Sequence, residues 1–370
     1  MVRDSHYFPV IIIGGGPAGL ATSLTLSARG IPHCIVDANE VPVNKPGEAI
    51  PPNAKPLLKQ LGIDHLIDNK RHLPYYGNKA CWGDDTLRQE EFITDVHGHG
   101  YLLNRLLFET ELREHITSAL CTNFWGYKLR LVEQQDQETI VRIEGSSESH
   151  ELRCRYVVDA TGRKASVCRQ LGVLKTALDE QFALTLQVPI RNNMAHQIHI
   201  EAIENGWWYA ALLGQSQMNL MFFASKSLIP AKSDLPEFLE NALNKSIYIK
   251  KLIDKSLLPL NATEIRVIPA GTSCLDVPYG ANWLAVGDAA YAYDPISSYG
   301  ITSGLGAGYY AGHTLADALD GKQEAFDVYR YLMENAFQAY LEKLENHYAL
   351  EQRWPQSGYW VNRINMTPVA

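Results

Sequence analysis

The sequence predicts an α/β fold: a domain built on a parallel sheet, a second domain built on a β-sheet, and helices closing the C-terminus. Three observations predict it. A β-branched run over 7–13 leads into glycines and then a helical pattern through Leu20, Leu24, Leu26 and Ala28. Four alternating runs follow one another at 183–190, 197–202, 207–213 and 218–224. Two long helical patterns, at about 301–318 and 325–348, come last.

Taken in order, the apolar run 31–36 ends on Asp37, 23 residues after Gly14, and completes a βαβ unit. Residues 98–116 read as a strand entry and a helix, 127–134 and 139–144 as a hairpin, and 152–158 as a buried strand. The four runs after 183 form a meander, which sits poorly inside a doubly wound sheet and marks a separate substrate domain. After 265–270, the strand 283–286 runs into Gly287 and Asp288. The first domain is therefore assembled from 1–75, 95–180 and 264–325, and the substrate domain from 76–94 and 181–263. A C-terminal helical segment occupies 326–370.

The 33 basic against 41 acidic residues leave a net charge of −8, which disfavours phosphate backbones and anionic lipid. Nucleic acid is excluded as a partner. Six scattered cysteines contain no C-x-x-C pair, which argues against a zinc knuckle or a dithiol redox centre and for reduced thiols in the cytoplasm. Residues 5–28 carry no charge, but Gly14, Gly15, Gly16, Pro17 and Gly19 interrupt them, so no membrane segment is read there. His97 and His99, or His196 and His199, bring no third ligand, and no metal site is expected.

Gly14-x-Gly16-x-x-Gly19, with Pro17 and Ala18 inside it, follows a strand and opens a helix. Such a turn lets the backbone approach a diphosphate and sets the helix N-terminus against its charge. Asp37 then binds a ribose hydroxyl pair, and an acid there favours FAD or NAD over a phosphorylated ribose. Gly304-x-Gly306 is followed by Tyr309 where a third glycine is needed, so there is no second Rossmann fingerprint. A two-nucleotide disulfide reductase is thereby disfavoured.

Three further segments resemble signatures of FAD-dependent monooxygenases and halogenases: Gly98-His-Gly-Tyr-Leu-Leu-Asn104-Arg105, Val158-Asp-Ala-Thr-Gly-Arg163 and Leu284-Ala-Val-Gly287-Asp288-Ala-Ala290. The resemblance implies a Rossmann-like, aromatic-hydroxylase-type domain binding FAD. Arg105 would touch the flavin nucleotide and Asp288 the ribityl chain, with Gly287 beside it. Lys45, in the segment before the flavin-side Gly47-Glu48 pair, joins the expected cofactor contacts. So do Pro295, Gly300 and Ile301, which lead into a helix whose positive end favours an anionic reduced flavin. Ser297 and Tyr299 stand where halogenases have an acid and a threonine.

Over the whole chain the sequence resembles the LodB/GoxB-type maturation flavoproteins of cysteine tryptophylquinone oxidases better than it resembles the halogenases. The similarity lies in Gly77-Asn78 with Trp82-Gly83, in His97-Gly-His-Gly100, and in Tyr348-Ala-Leu-Glu351-Gln-Arg353-Trp354-Pro355-Gln-Ser357. It implies oxygenation of a tryptophan in a quinone-dependent amino-acid oxidase precursor, with electrons from a separate reductase or NAD(P)H. Glu48, Lys79, Trp207 and Tyr209 are the cavity residues expected around that tryptophan. Alternatives are a small-molecule aromatic hydroxylase or halogenase-like enzyme, and a non-catalytic flavin-binding chaperone.

Overall fold

The computed structural model describes residues 3–67, 70–116, 119–190, 195–214, 216–253 and 261–364. Residues 365–370 of the expected C-terminal segment lie outside them. Among the described residues the first sheet has eight strands, five of them parallel in the order Trp283–Ala285, Ser149–Asp159, Arg3–Ile13, His33–Asp37 and Cys121–Trp125, with Tyr279–Gly280 antiparallel at the outer edge of Trp283–Ala285. The hairpin Lys128–Gln134 and Thr139–Glu144 adds antiparallel to the first half of Ser149–Asp159. That strand thus changes neighbour along its length.

Alternation divides the core between the two faces of this sheet. Val10, Ile12, Ile35 and Val158 pack with Leu20, Phe108, Leu112 and Leu305 of the helices Pro17–Ala28, Arg105–Glu114 and Gly300–Leu319. Ile11, Ile13, Cys34, Val36 and Val157 face the opposite way, onto Val132, Val141 and Phe337. The long helix Ala325–Ala349 bridges three cores, placing Tyr329 in the first, Phe337 in the second and Tyr348 in a third.

The second sheet has seven strands, in the order Arg266–Pro269, Gln181–Pro189, Gln217–Ser225, Gly206–Leu213, Ile198–Ile203, Gly77–Cys81 and Arg88–Glu91. The expected meander of four runs holds for the last three only. Gln181–Pro189 instead pairs on the far side of Gln217–Ser225. The physical reason is burial: the strands after 206 and 217 are apolar on both faces, and each takes two neighbours. Arg266–Pro269 also pairs here, so the sheet draws on residues beyond 263.

Cross-strand partners share a face, which fixes what each face presents. Trp207, Tyr209, Ala211, Met221 and Phe223 look inward with Ala49 and Leu102. Trp208, Ala210, Leu220 and Phe222 look outward onto Leu235, Leu239 and Leu243 of the helix Leu235–Lys245. No helix of the described residues is long and apolar enough to cross a membrane.

Candidate functional site

The glycine turn is shaped by three different demands. Gly14 has φ +117° and a Cβ there would collide with the Ala160 carbonyl, while a Cβ at Gly19 would collide with the Gly14 carbonyl. Gly16 meets nothing within 4 Å, so its exposed side is a cradle open to an incoming group. Pro17 opens the helix Pro17–Ala28 at N1, with Ala18 in the first turn, no capping side chain and no acid there. The first-turn N–H groups are thus left for an anion.

Behind the turn, Asp159 is fully buried and accepts from Thr161 N at 3.0 Å, Val167 N at 2.9 Å and Cys168 N at 2.9 Å. It holds the Ala160 carbonyl against Gly14. Asp37 accepts from Gly15 N at 2.7 Å and from Asn39 N at 2.8 Å. Arg113 then closes on Asp37 at 3.1 Å, donates to the Asn39 carbonyl at 3.1 Å and lies 4.3 Å above the Trp125 ring. Sequence reading missed Arg113. Its signal is the i, i+4, i+8 stripe Arg105, Glu109, Arg113 on one helix face.

Arg105, just after the N-cap Asn104, donates to Glu109 at 2.7 Å and to the Gly47 carbonyl at 2.6 Å. Lys45 meets the other oxygen of the fully buried Glu109 at 2.8 Å. Two cations around one carboxylate leave a net positive site beside the 45–50 segment. On the other side, Gly287 has φ +56° and a Cβ there would lie 2.9 Å from that of Ala18. Asp288 is paired with Arg163 at 3.4 Å, and Lys175 donates to the Asp288 carbonyl at 2.7 Å. Burial pulls the Lys175 ammonium down to about 8. The turn Pro295–Ser297, capped by the Asp294 carboxylate, delivers Gly300 and Ile301 to the start of the helix Gly300–Leu319.

Of the four expected cavity residues, the structure joins two. Glu48, 1% exposed, accepts from Tyr209 Oη at 3.1 Å, Asn219 Nδ2 at 3.0 Å and Gly47 N at 3.1 Å. Burial pushes its carboxyl up despite these donors. Trp207 is core instead: it has no exposed surface, stacks on Phe223 at 3.9 Å and donates to Gln181 at 3.3 Å. Lys79 is displaced for a reason of register. It pairs with His199, which pairs with Ala210, so its side chain lies on the outward face, opposite Tyr209. There it lines a surface groove of about 500 Å³ with Tyr76, His99, His196 and Gln197. Asn219, which sequence reading missed, takes the place beside Glu48. Among the described residues no group of three or more His, Cys, Asp or Glu could hold a metal ion.

These features fit FAD. The open Gly16 and the uncapped helix end suit a diphosphate, Asp37 a ribose, and Arg105, Lys45 and Asp288 the remaining charged and hydroxyl groups. Comparison with known proteins agrees. Residues 7–341 match the FAD binding domain family. LodB of Marinomonas mediterranea, named as a putative FAD-dependent oxidoreductase, is 25% identical over 370 residues, spanning 96% of this chain and 96% of its own. The halogenase CndH superposes with a TM-score of 0.86 at 18% identity, covering 97% of this chain and 86% of its own. The peptidyl tryptophan dihydroxylase QhpG, essential for tryptophylquinone cofactor biogenesis, superposes at 0.77 with 20% identity over 96% of this chain and 78% of its own. The chain belongs to the FAD binding domain family and is an FAD-dependent oxidoreductase.

Proposed function

We propose that this chain is a monooxygenase that hydroxylates a tryptophan of a partner oxidase precursor during cysteine tryptophylquinone biosynthesis. The observation that carries the reading is the end-to-end similarity to LodB, at 96% of both chains, reinforced by the shared fold of a peptidyl tryptophan dihydroxylase. Bound FAD would supply the redox and oxygen-activating chemistry. The chain's own residues do the rest. Gly16 and the N–H groups of the first helix bind the diphosphate, Asp37 the ribose and Asp288 the ribityl chain, while Arg105 and Lys45 offset negative charge. Glu48, braced by Tyr209 and Asn219, fixes the flavin-side segment against the inward face of the second sheet, whose apolar side chains exclude water. Electrons come from a separate reductase or NAD(P)H. The reading places the protein in the cytoplasm, where its six unpaired cysteines stay reduced.

A second reading, a small-molecule hydroxylase or halogenase-like enzyme, is favoured by the closer superposition of CndH. Co-expression with an oxidase precursor, followed by mass analysis of its tryptophan peptides, separates the two. Added oxygen on a precursor tryptophan is the expected result. An unmodified precursor beside folded, FAD-loaded enzyme overturns the oxygenase reading and leaves the chaperone one. Tight turnover of a free phenol or free tryptophan, with no binding to precursor, favours the small-molecule reading.

A further inference from the structure

Two of the three stretches that carry the maturation-flavoprotein resemblance, 77–83 and 348–357, are far apart in sequence and touch in space. Trp82 Nε1 donates to the His347 carbonyl at 3.0 Å, and Gly83 N donates to the buried Glu351 carboxylate at 2.9 Å. Gly83 has φ +80°, and a Cβ there would press within 2.8 Å of the Leu350 carbonyl. Ser357 donates to the Glu204 carbonyl at 2.6 Å and Trp360 to the Ile203 carbonyl at 3.0 Å. The C-terminal residues thus form a strap over the second sheet, ending in the helix Gly358–Ile364.

At the end of this strap Arg363, 2% exposed, enters a site with two carboxylates. Its guanidinium lies 3.0 Å from Asp294 and 3.0 Å from Asp179, between the rings of Tyr348 and Tyr359. Asp294, with no exposed surface, also accepts from Gln181 at 3.1 Å and Tyr348 at 3.0 Å, and its N–H donates to Tyr340 at 2.6 Å. The same Asp294 caps the turn Pro295–Ser297 that leads to Gly300 and Ile301. Gln181 opens a strand of the second sheet and accepts from Tyr359 at 2.6 Å. Arg363 and Tyr348 reach Asp294 directly and Tyr359 reaches it through Gln181; of these three Arg363 alone brings a positive charge.

We propose that Arg363 is a positioning residue for loop 294–301, setting the cofactor-side turn against the substrate sheet through Asp294. A guanidinium suits the task because it can serve both carboxylates at once, whereas an ammonium is a single point charge. Without it, Asp179 and Asp294 would face each other as buried, uncompensated charges, and the loop would move to relieve them. The inference rests on FAD as the cofactor and not on which substrate is oxidised.

The test uses the full chain loaded with FAD. Arg363→Lys should raise the FAD dissociation constant about tenfold, shift the visible flavin spectrum and move the flavin midpoint potential, since the pair geometry changes while the charge is kept. Ser357→Ala loosens the same strap without a link to Asp294, and should leave all three readouts at wild-type values. If Arg363→Lys fails to fold, Tyr348→Phe, which removes one donor from Asp294, should shift the spectrum in the same direction by less. Wild-type affinity, spectrum and potential in a folded Arg363→Lys protein would overturn the proposal. Equal shifts in Ser357→Ala would also overturn it, by showing that strap damage of any kind suffices.

Discussion

Replacing Arg113 by methionine tests how Asp37, the acid proposed to bind the ribose, is held. The guanidinium is 3.1 Å from Asp37, and the two side chains are 7% and 14% exposed, so solvent screening takes little from the interaction. Removing one partner of a buried pair costs about 3–5 kcal/mol, because the other charge is left desolvated. The stacking on Trp125 adds ~0.5–2 kcal/mol. Methionine retains part of the packing, so a loss of about 3 kcal/mol in urea unfolding is the expected outcome. A double-mutant cycle with Asp37→Asn should return a coupling of roughly 1–3 kcal/mol. FAD titration of the same variants should show weaker binding for each single substitution. A loss below ~1 kcal/mol with additive double-mutant behaviour would refute the assignment, since that is the range of an exposed pair.

Gly16→Ala should leave the ligand-free thermal midpoint near wild type and weaken FAD binding, because its Cβ enters open space, whereas Gly14→Ala should lose ~1–3 kcal/mol of stability through collision with Ala160. Differential scanning fluorimetry with and without FAD distinguishes the two. Lys175, pulled down to about 8, binds fewer protons folded than unfolded between that value and the ordinary lysine range, so its contribution to stability rises with pH there. Relative to Lys175→Met, the wild-type urea midpoint should therefore climb between about pH 7 and about pH 10, and a flat difference would count against this burial effect. Reduced flavin, O₂, bromide and free tryptophan should yield no bromotryptophan by mass spectrometry, given Ser297 and the bulky Tyr299; stoichiometric product would contradict this.

Local signals were legible and tertiary ones were not. The strand, glycine turn, helix and terminal acid of the first βαβ unit lie within 37 residues, so spacing alone places Gly14, Gly16, Gly19 and Asp37 together. Arg113 reaches the same acid from a helix 76 residues further on, and nothing local marks its partner. Lys79 illustrates the period-two problem: its strand could present either parity inward, and only pairing with His199 settles which. Trp207 and Tyr209 share a face, yet their depths differ in use. Tyr209 sits where the 45–50 segment crosses the sheet, and Trp207 lies beneath Phe223 and the C-terminal strap.

The glycines of the long helix show how packing and charge serve one another. Gly304, Gly308 and Gly312 recur every four residues, and at Gly308 and Gly312 a Cβ would strike the backbone of Ala18 and the side chain of Thr25. Their lack of side chains lets the helix Gly300–Leu319 lie close along Pro17–Ala28. Gly287, whose Cβ would lie 2.9 Å from that of Ala18 and 3.4 Å from Gly304, wedges in between the first turn of one helix and the second turn of the other. The two helices run parallel, so their uncapped N-termini carry partial positive charge at the same end. In a chain with a net charge of −8, an anionic cofactor cannot rely on the overall field for attraction. The attraction must be built locally, and the proposed site does so with the helix ends that the glycine ladder brings together and with Arg105 and Lys45.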